Sequence, residues 1–310
     1  MIYVGISACL LGQKVRYDGG HKASTFCQHQ LGKHVEYLPL CPEVGIGMSV
    51  PRPTIRLVGD VERPRAVVQK TGEDVTARLA EFADIRTAQL DKLSGYILCA
   101  KSPSCGMERV RVYAEDSNAN QKEGMGIFAA RLRALYPSLP MEEDGRLNDP
   151  LLRENFVLRL YVYHEWKSLP RPIQKADLYA FHARHKLTLL AHDQPTYRSL
   201  GRELAECDVV SESFCSHYIQ RLMSALSRPA SRRDHTNVLQ HIQGYFSKNL
   251  NDVQRQELTD IILQYRAGEQ PLAAPLTLVQ SYLKQYPDEY LASQSYLRPY
   301  PTDLKLRYGL

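Results

Sequence analysis

Nowhere in the 310-residue chain do about 18 apolar residues run together, so no membrane-spanning helix is expected. Internal repeats and low-complexity tracts are also missing. The opening Met1-Ile2-Tyr3-Val4-Gly5-Ile6 lacks a charged n-region and reads as a first strand rather than a signal peptide. Cysteine is sparse. Its seven copies are an odd number with no secreted-framework spacing, so a reducing cytoplasm is the expected location. Charge of one sign is lacking too: 39 Lys and Arg stand against 34 Asp and Glu. The resulting +5, spread over both halves, permits a polyanionic partner without demanding one. Nothing in the sequence calls for an obligate protein partner.

What is present is a set of three cysteines in Gly/Pro-rich turns, read as Ser7-Ala8-Cys9-Leu10-Leu11-Gly12, Cys41-Pro42-Glu43-Val44-Gly45 and Lys101-Ser102-Pro103-Ser104-Cys105-Gly106. Each follows a short apolar run (2–6, 35–40 and 96–100) of the kind that suits a buried strand. If those strands are parallel neighbours, the thiols converge at the carboxyl ends of the sheet, where open α/β folds keep ligands. Three thiolates around one point make a soft metal site with one coordination position open. Taken alone, such a trio is also compatible with buried structural thiols or a zinc site.

Elements alternate up to the proline-punctuated segment Lys167-Ser168-Leu169-Pro170-Arg171-Pro172, which reads as a linker. Asp74 is the expected N-cap of a helix to about Leu93, with Val75, Leu79, Phe82 and Leu90 on one face. Asp149-Pro150 starts another helix, and residues 54–69 suggest a hairpin or loop excursion. After the linker only helical patterns appear: a stripe of Leu178, Phe181, His185 and Leu189, then spans near 197–207, 212–227, 234–248, 252–267 and 275–286. The expected architecture is an α/β domain over 1–168, Rossmann-like with a mostly parallel sheet, followed by an all-α domain over 173–310.

The cysteine segments, with Arg16-Tyr17-Asp18-Gly19, Gly124-Met125-Gly126-Ile127-Phe128 and Arg153-Glu154-Asn155-Phe156, resemble the thiouracil desulfidase family across about 1–165. Phe181-His182-Ala183-Arg184-His185-Lys186, Asn237-Val238-Leu239-Gln240-His241, Gly244-Tyr245-Phe246 and Leu297-Arg298-Pro299-Tyr300-Pro301 resemble the YbgA-type domain. The pairing is similar to RudS-type bacterial desulfidases acting on 4-thiouridine in transfer RNA. That resemblance implies a 4Fe–4S cluster held by Cys9, Cys41 and Cys105, with one iron not ligated by protein. It also implies Glu43 and Ser102 as catalytic residues, transfer RNA as substrate, and capture of the sulfur by the unique iron without net redox change. Desulfidation of a free thiopyrimidine such as 2-thiouracil is the alternative, and a non-catalytic metal-bound RNA-binding or regulatory module is a third.

Several residues admit two readings. Arg16, Asp18 and the pair Arg52/Arg56 either shape the pocket mouth through ion pairs or contact substrate, and Ser104 joins the substrate-contact candidates. Gly124-Met125-Gly126 is either a phosphate-binding turn or close backbone packing. Arg228, Arg232, Arg233 and Lys248 are the candidates for gripping RNA phosphates. Cys27, Cys99, Cys207 and Cys215 read as structural, His182 and His185 as satisfied histidines, and Tyr282, Tyr286 and Tyr290 as core packing.

Overall fold

The first apolar runs become parallel strands, as their lengths and turn boundaries suggest. In the computed structural model, which describes residues 1–308, the strands are β1 (Tyr3–Ser7), β2 (Glu36–Leu40), β3 (Ile55–Val58), β4 (Arg65–Val68), β5 (Gly95–Leu98), β6 (Val110–Tyr113), β7 (Asn120–Gly124) and β8 (Met141–Glu143). One sheet has the order β2-β1-β5-β8 and is parallel throughout. The second, β4-β3-β6-β7, pairs two antiparallel hairpins through a parallel β3–β6 contact. The excursion between 54 and 69 is therefore a hairpin.

Four helices belong to this first unit: α1 (Pro42–Gly45), α2 (Thr76–Asp84), α3 (Thr87–Leu90) and α4 (Ile127–Leu135). The long helix expected from Asp74 to Leu93 is thus broken into α2 and α3, with exposed Ile85 at the break. Asp74 still accepts the Thr76 N–H at 2.9 Å. Phe82 of α2 and Tyr96 of β5 meet Phe128 of α4 edge-on, with ring centroids 5.8 and 5.7 Å away. Burying each such ring contributes roughly 1.5–3 kcal/mol, enough to fix both helices on the sheet. Gly45 closes this packing: a Cβ there would fall 1.9 Å from the Phe82 ring. The α1 turn that carries Glu43 is held against α2 by that close approach.

The second unit is helical, with α5 (Pro150–Ser168), α6 (Lys175–His192), α7 (Gln194–Glu206), α8 (Glu212–Ala225), α9 (Arg232–Tyr245), α10 (Asp252–Ala267), α11 (Ala273–Gln285) and α12 (Glu289–Ser293). No strand follows β8 among the described residues. Helix starts fall at or a little before the apolar periodicity, because the caps lie upstream: Asp193 accepts the Thr196 N–H and Ser231 the Asp234 N–H. Val238, Leu239, Ile242, Phe246, Ile262, Val279 and Tyr282 are buried in its core, with Tyr286 and Tyr290 packed against it.

One boundary differs from expectation. The chain divides after Asp149, not at the proline-rich segment. Helix α5 makes its contacts in the second unit: Trp166 stacks on Tyr218 at 5.7 Å and meets Phe181 edge-on at 5.3 Å. Asn155 donates to the Leu226 carbonyl at 3.0 Å. The prolines at 170 and 172 terminate α5 and form the turn into α6, so they punctuate a helical pair instead of separating domains.

Candidate active site

Cys9, Cys41 and Cys105 line one cavity of about 430 Å³ beyond the carboxyl ends of β1, β2 and β5. These are adjacent parallel strands, with Ser7 opposite Leu40 and Ile6 opposite Ile97, so turns distant in sequence open at one sheet edge. Cys9 sits in the 3-10 turn Ala8–Leu11 after β1, Cys41 caps α1 directly after β2, and Cys105 closes the 101–106 turn after β5. Gly124-Met125-Gly126 holds that last turn by backbone packing. Gly126 N–H donates to Gly106 O at 2.8 Å, Ile127 N–H to Pro103 O at 3.1 Å and Ala129 N–H to Ser104 O at 3.2 Å. A Cβ on Gly126 would lie 2.6 Å from the Ser104 carbonyl. The donors at the start of α4 are thereby spent on the protein itself, which settles the phosphate-turn question in favour of packing.

Glu43 faces the same cavity at the centre of a polar chain. Arg52 Nε donates to Glu43 Oε2 at 2.8 Å and its Nη2 lies 2.6 Å from that oxygen. Arg52 Nη1 donates to the Val15 carbonyl at 2.9 Å. Ser104 Oγ donates to Glu43 Oε1 at 2.7 Å. Its single proton being committed there, the 3.0 Å contact between the two serine hydroxyls is donated by Ser102. Ser102 Oγ in turn accepts the Cys105 N–H at 3.1 Å. The order Ser102, Ser104, Glu43, Arg52 is thus directional, and the two residues expected to be catalytic are joined through a third. Arg52→Met is expected to lower stability by about 3–5 kcal/mol, because it strands a carboxylate whose partner is almost wholly buried. Denaturant unfolding checks this, and Arg52→Lys should recover part of the loss without the paired contact on Oε2.

Burial pushes the Cys41 and Cys105 thiols above the ordinary cysteine range. Cys9 is pushed up chiefly by its hydrogen bond with Cys99, and Cys99 is brought down by the same bond. Buried thiolates crowded at one edge repel one another, and positive charge placed among them reverses that cost. The donor set therefore suits a soft metal group. Among the described residues no three His, Cys, Asp or Glu side chains close on a single ion. The thiols border one cavity without closing on a single point, which fits a multi-iron cluster held by thiolates better than one tetrahedral zinc with bonds of about 2.3 Å.

The other expected contacts separate. Arg16 lines the cavity, with its guanidinium 5.6 Å from the Tyr17 ring centroid. Asp18 lies outside it and accepts the Gly20 N–H at 2.9 Å, with Arg16 at 3.5 Å, so it shapes the turn. Ser104 is buried and committed to Glu43. Arg56 is stacked on Tyr113 at 5.6 Å. In the helical unit Arg233 and Lys248 are exposed, and exposed Arg228 borders a cavity of about 560 Å³ with His192 and Arg221. Arg232 is already engaged: it donates to the Tyr265 and Gln270 carbonyls at 3.0 and 3.2 Å and lies 5.0 Å over the Tyr265 ring. His182 pairs with Tyr218 at 3.0 Å as a core histidine, while buried His185 pairs with Ser295 at 2.8 Å through Nδ1 and leaves its Nε2 without a hydrogen bond among the described residues, 3.3 Å from Glu165 Oε2.

Two cavity residues with polar side chains, Cys99 and Lys22, escaped sequence reasoning. Cys99 is the first residue beyond β5, just as Cys41 is the first beyond β2; that equal offset was the available signal. Arg52, offered by the sequence as a pocket-mouth ion pair or a substrate contact, takes the ion-pair role, and tertiary pairing names Glu43 as its partner. Lys22 reaches the cavity because its N–H donates to Cys9 O at 2.9 Å and its Nζ pairs with Asp144 at 2.8 Å.

Comparison with known proteins agrees with this division. Residues 4–144 match the 2-thiouracil desulfurase family model, and residues 186–301 match DUF1722, a family of unknown function. YbgA of Escherichia coli (strain K12) is 39% identical over 159 residues, which are 50% of this chain and 94% of that protein. YbbK of Bacillus subtilis (strain 168) is 33% identical over 153 residues, 47% of this chain and 98% of that protein. Among solved structures, the [4Fe-4S]-dependent thiouracil desulfidase TudS is 31% identical with a TM-score of 0.39, covering 48% of this chain and 94% of its own. The chain belongs to the 2-thiouracil desulfurase family through its first domain and to the DUF1722 family through its second.

Proposed function

We propose that this protein is an iron–sulfur-dependent desulfidase that converts 4-thiouridine in transfer RNA to uridine. The observation that carries the reading is the directional chain from Ser102 through Ser104 to Glu43 and Arg52, set in the wall of a thiol-lined cavity. Cys9, Cys41 and Cys105 would hold a 4Fe–4S cluster, leaving one iron without a protein ligand. When bound, the cluster supplies a thiophilic Lewis acid that makes the thione carbon more electrophilic. The protein's own groups then manage water and protons. Glu43 takes a proton from the attacking water, Arg52 keeps the carboxylate oriented, and Ser104 and Ser102, their hydroxyls reversing as they relay it, return that proton to the departing sulfur. Water oxygen replaces sulfur at the ring carbon, hydrogen sulfide is the other product, and no net electron transfer is needed.

A free thiopyrimidine is the second reading, favoured by a cavity whose volume suits a single small ligand. Holo-protein kept anaerobic and incubated separately with bulk bacterial transfer RNA and with 2-thiouracil distinguishes them through nucleoside and base analysis. Loss of 4-thiouridine supports the proposal; loss of 2-thiouracil alone makes this a free-base enzyme, and loss of neither sinks both. Arg228, Arg233 and Lys248 are the phosphate contacts expected to remain available in the helical unit, Arg232 being engaged with Tyr265 and Gln270. Three such contacts imply a roughly twenty- to fortyfold loss of RNA affinity between about 50 and 200 mM salt. Equilibrium binding across that range checks the value. Turnover of the free base should change far less.

A further inference from the structure

Four thiols line a cavity for which the proposed cluster uses three. The fourth, Cys99, directly follows β5, and its N–H donates to Ser7 Oγ at 3.0 Å, on the strand that leads into Cys9. Strands β1 and β5 pair in parallel with Ile6 opposite Ile97, so the chain leaving Leu98 runs alongside the turn that carries Cys9. The two thiols border the same cavity and influence each other, Cys9 being pushed up and Cys99 brought down. The remaining two thiols are engaged elsewhere. Cys41 Sγ lies 3.8 Å from the Val15 carbonyl and 4.0 Å from Arg52, and Cys105 Sγ lies 3.7 Å from Ser104 Oγ.

We propose that Cys99 is a resolving thiol for Cys9: in the cluster-free protein the two form a reversible disulfide under peroxide stress. Both cysteines are nearly buried yet border the cavity, so a small oxidant suits the site better than a bulky disulfide reagent. One thiol reduces hydrogen peroxide, forming a sulfenic acid and one water. The other thiol attacks that sulfur, forming the S–S bond and releasing a second water. Two thiols are oxidised by two electrons and one peroxide is reduced by two. The bond stops Cys9 from proceeding to the irreversible sulfinic and sulfonic acids. Its consequence for cluster loading rests on the reading of Cys9 as a ligand; the bond itself does not.

The test uses the full-length chain, freed of iron with a chelator, treated with hydrogen peroxide and digested without reduction. Peptide mass mapping should find Cys9 linked to Cys99 as the dominant cross-link, lost on adding dithiothreitol. Reduced wild-type protein should then regain iron uptake on reconstitution. Cys99→Ser should instead carry sulfinic or sulfonic Cys9 and lose uptake that dithiothreitol cannot restore. A dominant link from Cys9 to Cys41 or Cys105, or equal recovery by Cys99→Ser, overturns the proposal. A Cys9–Cys99 link in a chain that takes up no iron even when fully reduced sustains the disulfide and overturns the cluster reading.

Discussion

Glu43→Ala is expected to keep the brown cluster spectrum while lowering kcat by about 10²–10⁴, the usual contribution of a positioned general base. The ligands remain because Cys41 is held by its own strand end: it follows β2 and caps α1, and neither depends on the neighbouring side chain. What disappears is the acceptor at the end of the serine chain and the partner of Arg52. Arg52 is then left buried without its counter-ion, so a loss of stability accompanies the loss of rate. Iron content and visible absorption measured beside single-turnover desulfidation separate the two. Glu43→Gln refines the result, since its amide oxygen keeps the size of the carboxylate but has no charge for Arg52 and little basicity. A Gln variant at near wild-type rate would move the base to another residue. Asp18 is an unsuitable replacement, because it lies outside the cavity and is occupied by the Gly20 N–H.

The elements legible in the sequence are those whose signals are local. Three apolar runs ending in Gly/Pro turns announced β1, β2 and β5, and the helical repeats announced α7 to α11, because strand ends and amphipathic faces are written in consecutive residues. The convergence of Cys9, Cys41 and Cys105 needed only that these strands be parallel neighbours, and the order β2-β1-β5 makes them so. Partner choice was less legible. The apolar face of α5 is plain in Phe156 and Leu160, but nothing local says that Trp166 finds Phe181 and Tyr218, so the prolines after it resemble a boundary. Cys99 was hidden for a related reason. It follows an apolar run without a break, yet the strand stops at Leu98 and the next side chain faces the cavity. The serine relay joins residues 61 positions apart in sequence, Glu43 and Ser104, and no periodicity encodes such a hydrogen bond.

Cys105→Ala should abolish both stable cluster binding and desulfidation, the largest effect expected of any single change. Cys105 is held in one place from several sides. Its N–H donates to Ser102 Oγ, its turn is packed against Gly126, and its thiol is buried. A ligand so fixed contributes its full bond energy without an ordering cost, and two remaining thiols cannot hold a cubane against chelation or dissociation. The one spare thiol bordering the cavity is Cys99, and its backbone is tied to Ser7 on the strand that leads into Cys9. Cys99→Ala should accordingly leave the iron content and visible spectrum of reconstituted protein unchanged. The decisive measurement is iron and sulfide content per chain after anaerobic reconstitution of the two variants side by side. Full loading of Cys105→Ala would defeat the ligand assignment, and loading that vanishes only in the Cys99/Cys105 double variant would make Cys99 an alternative ligand. Loss in Cys105→Ala with retention in Cys99→Ala is the expected pattern, because the sheet edge fixes where each thiol stands before any iron arrives.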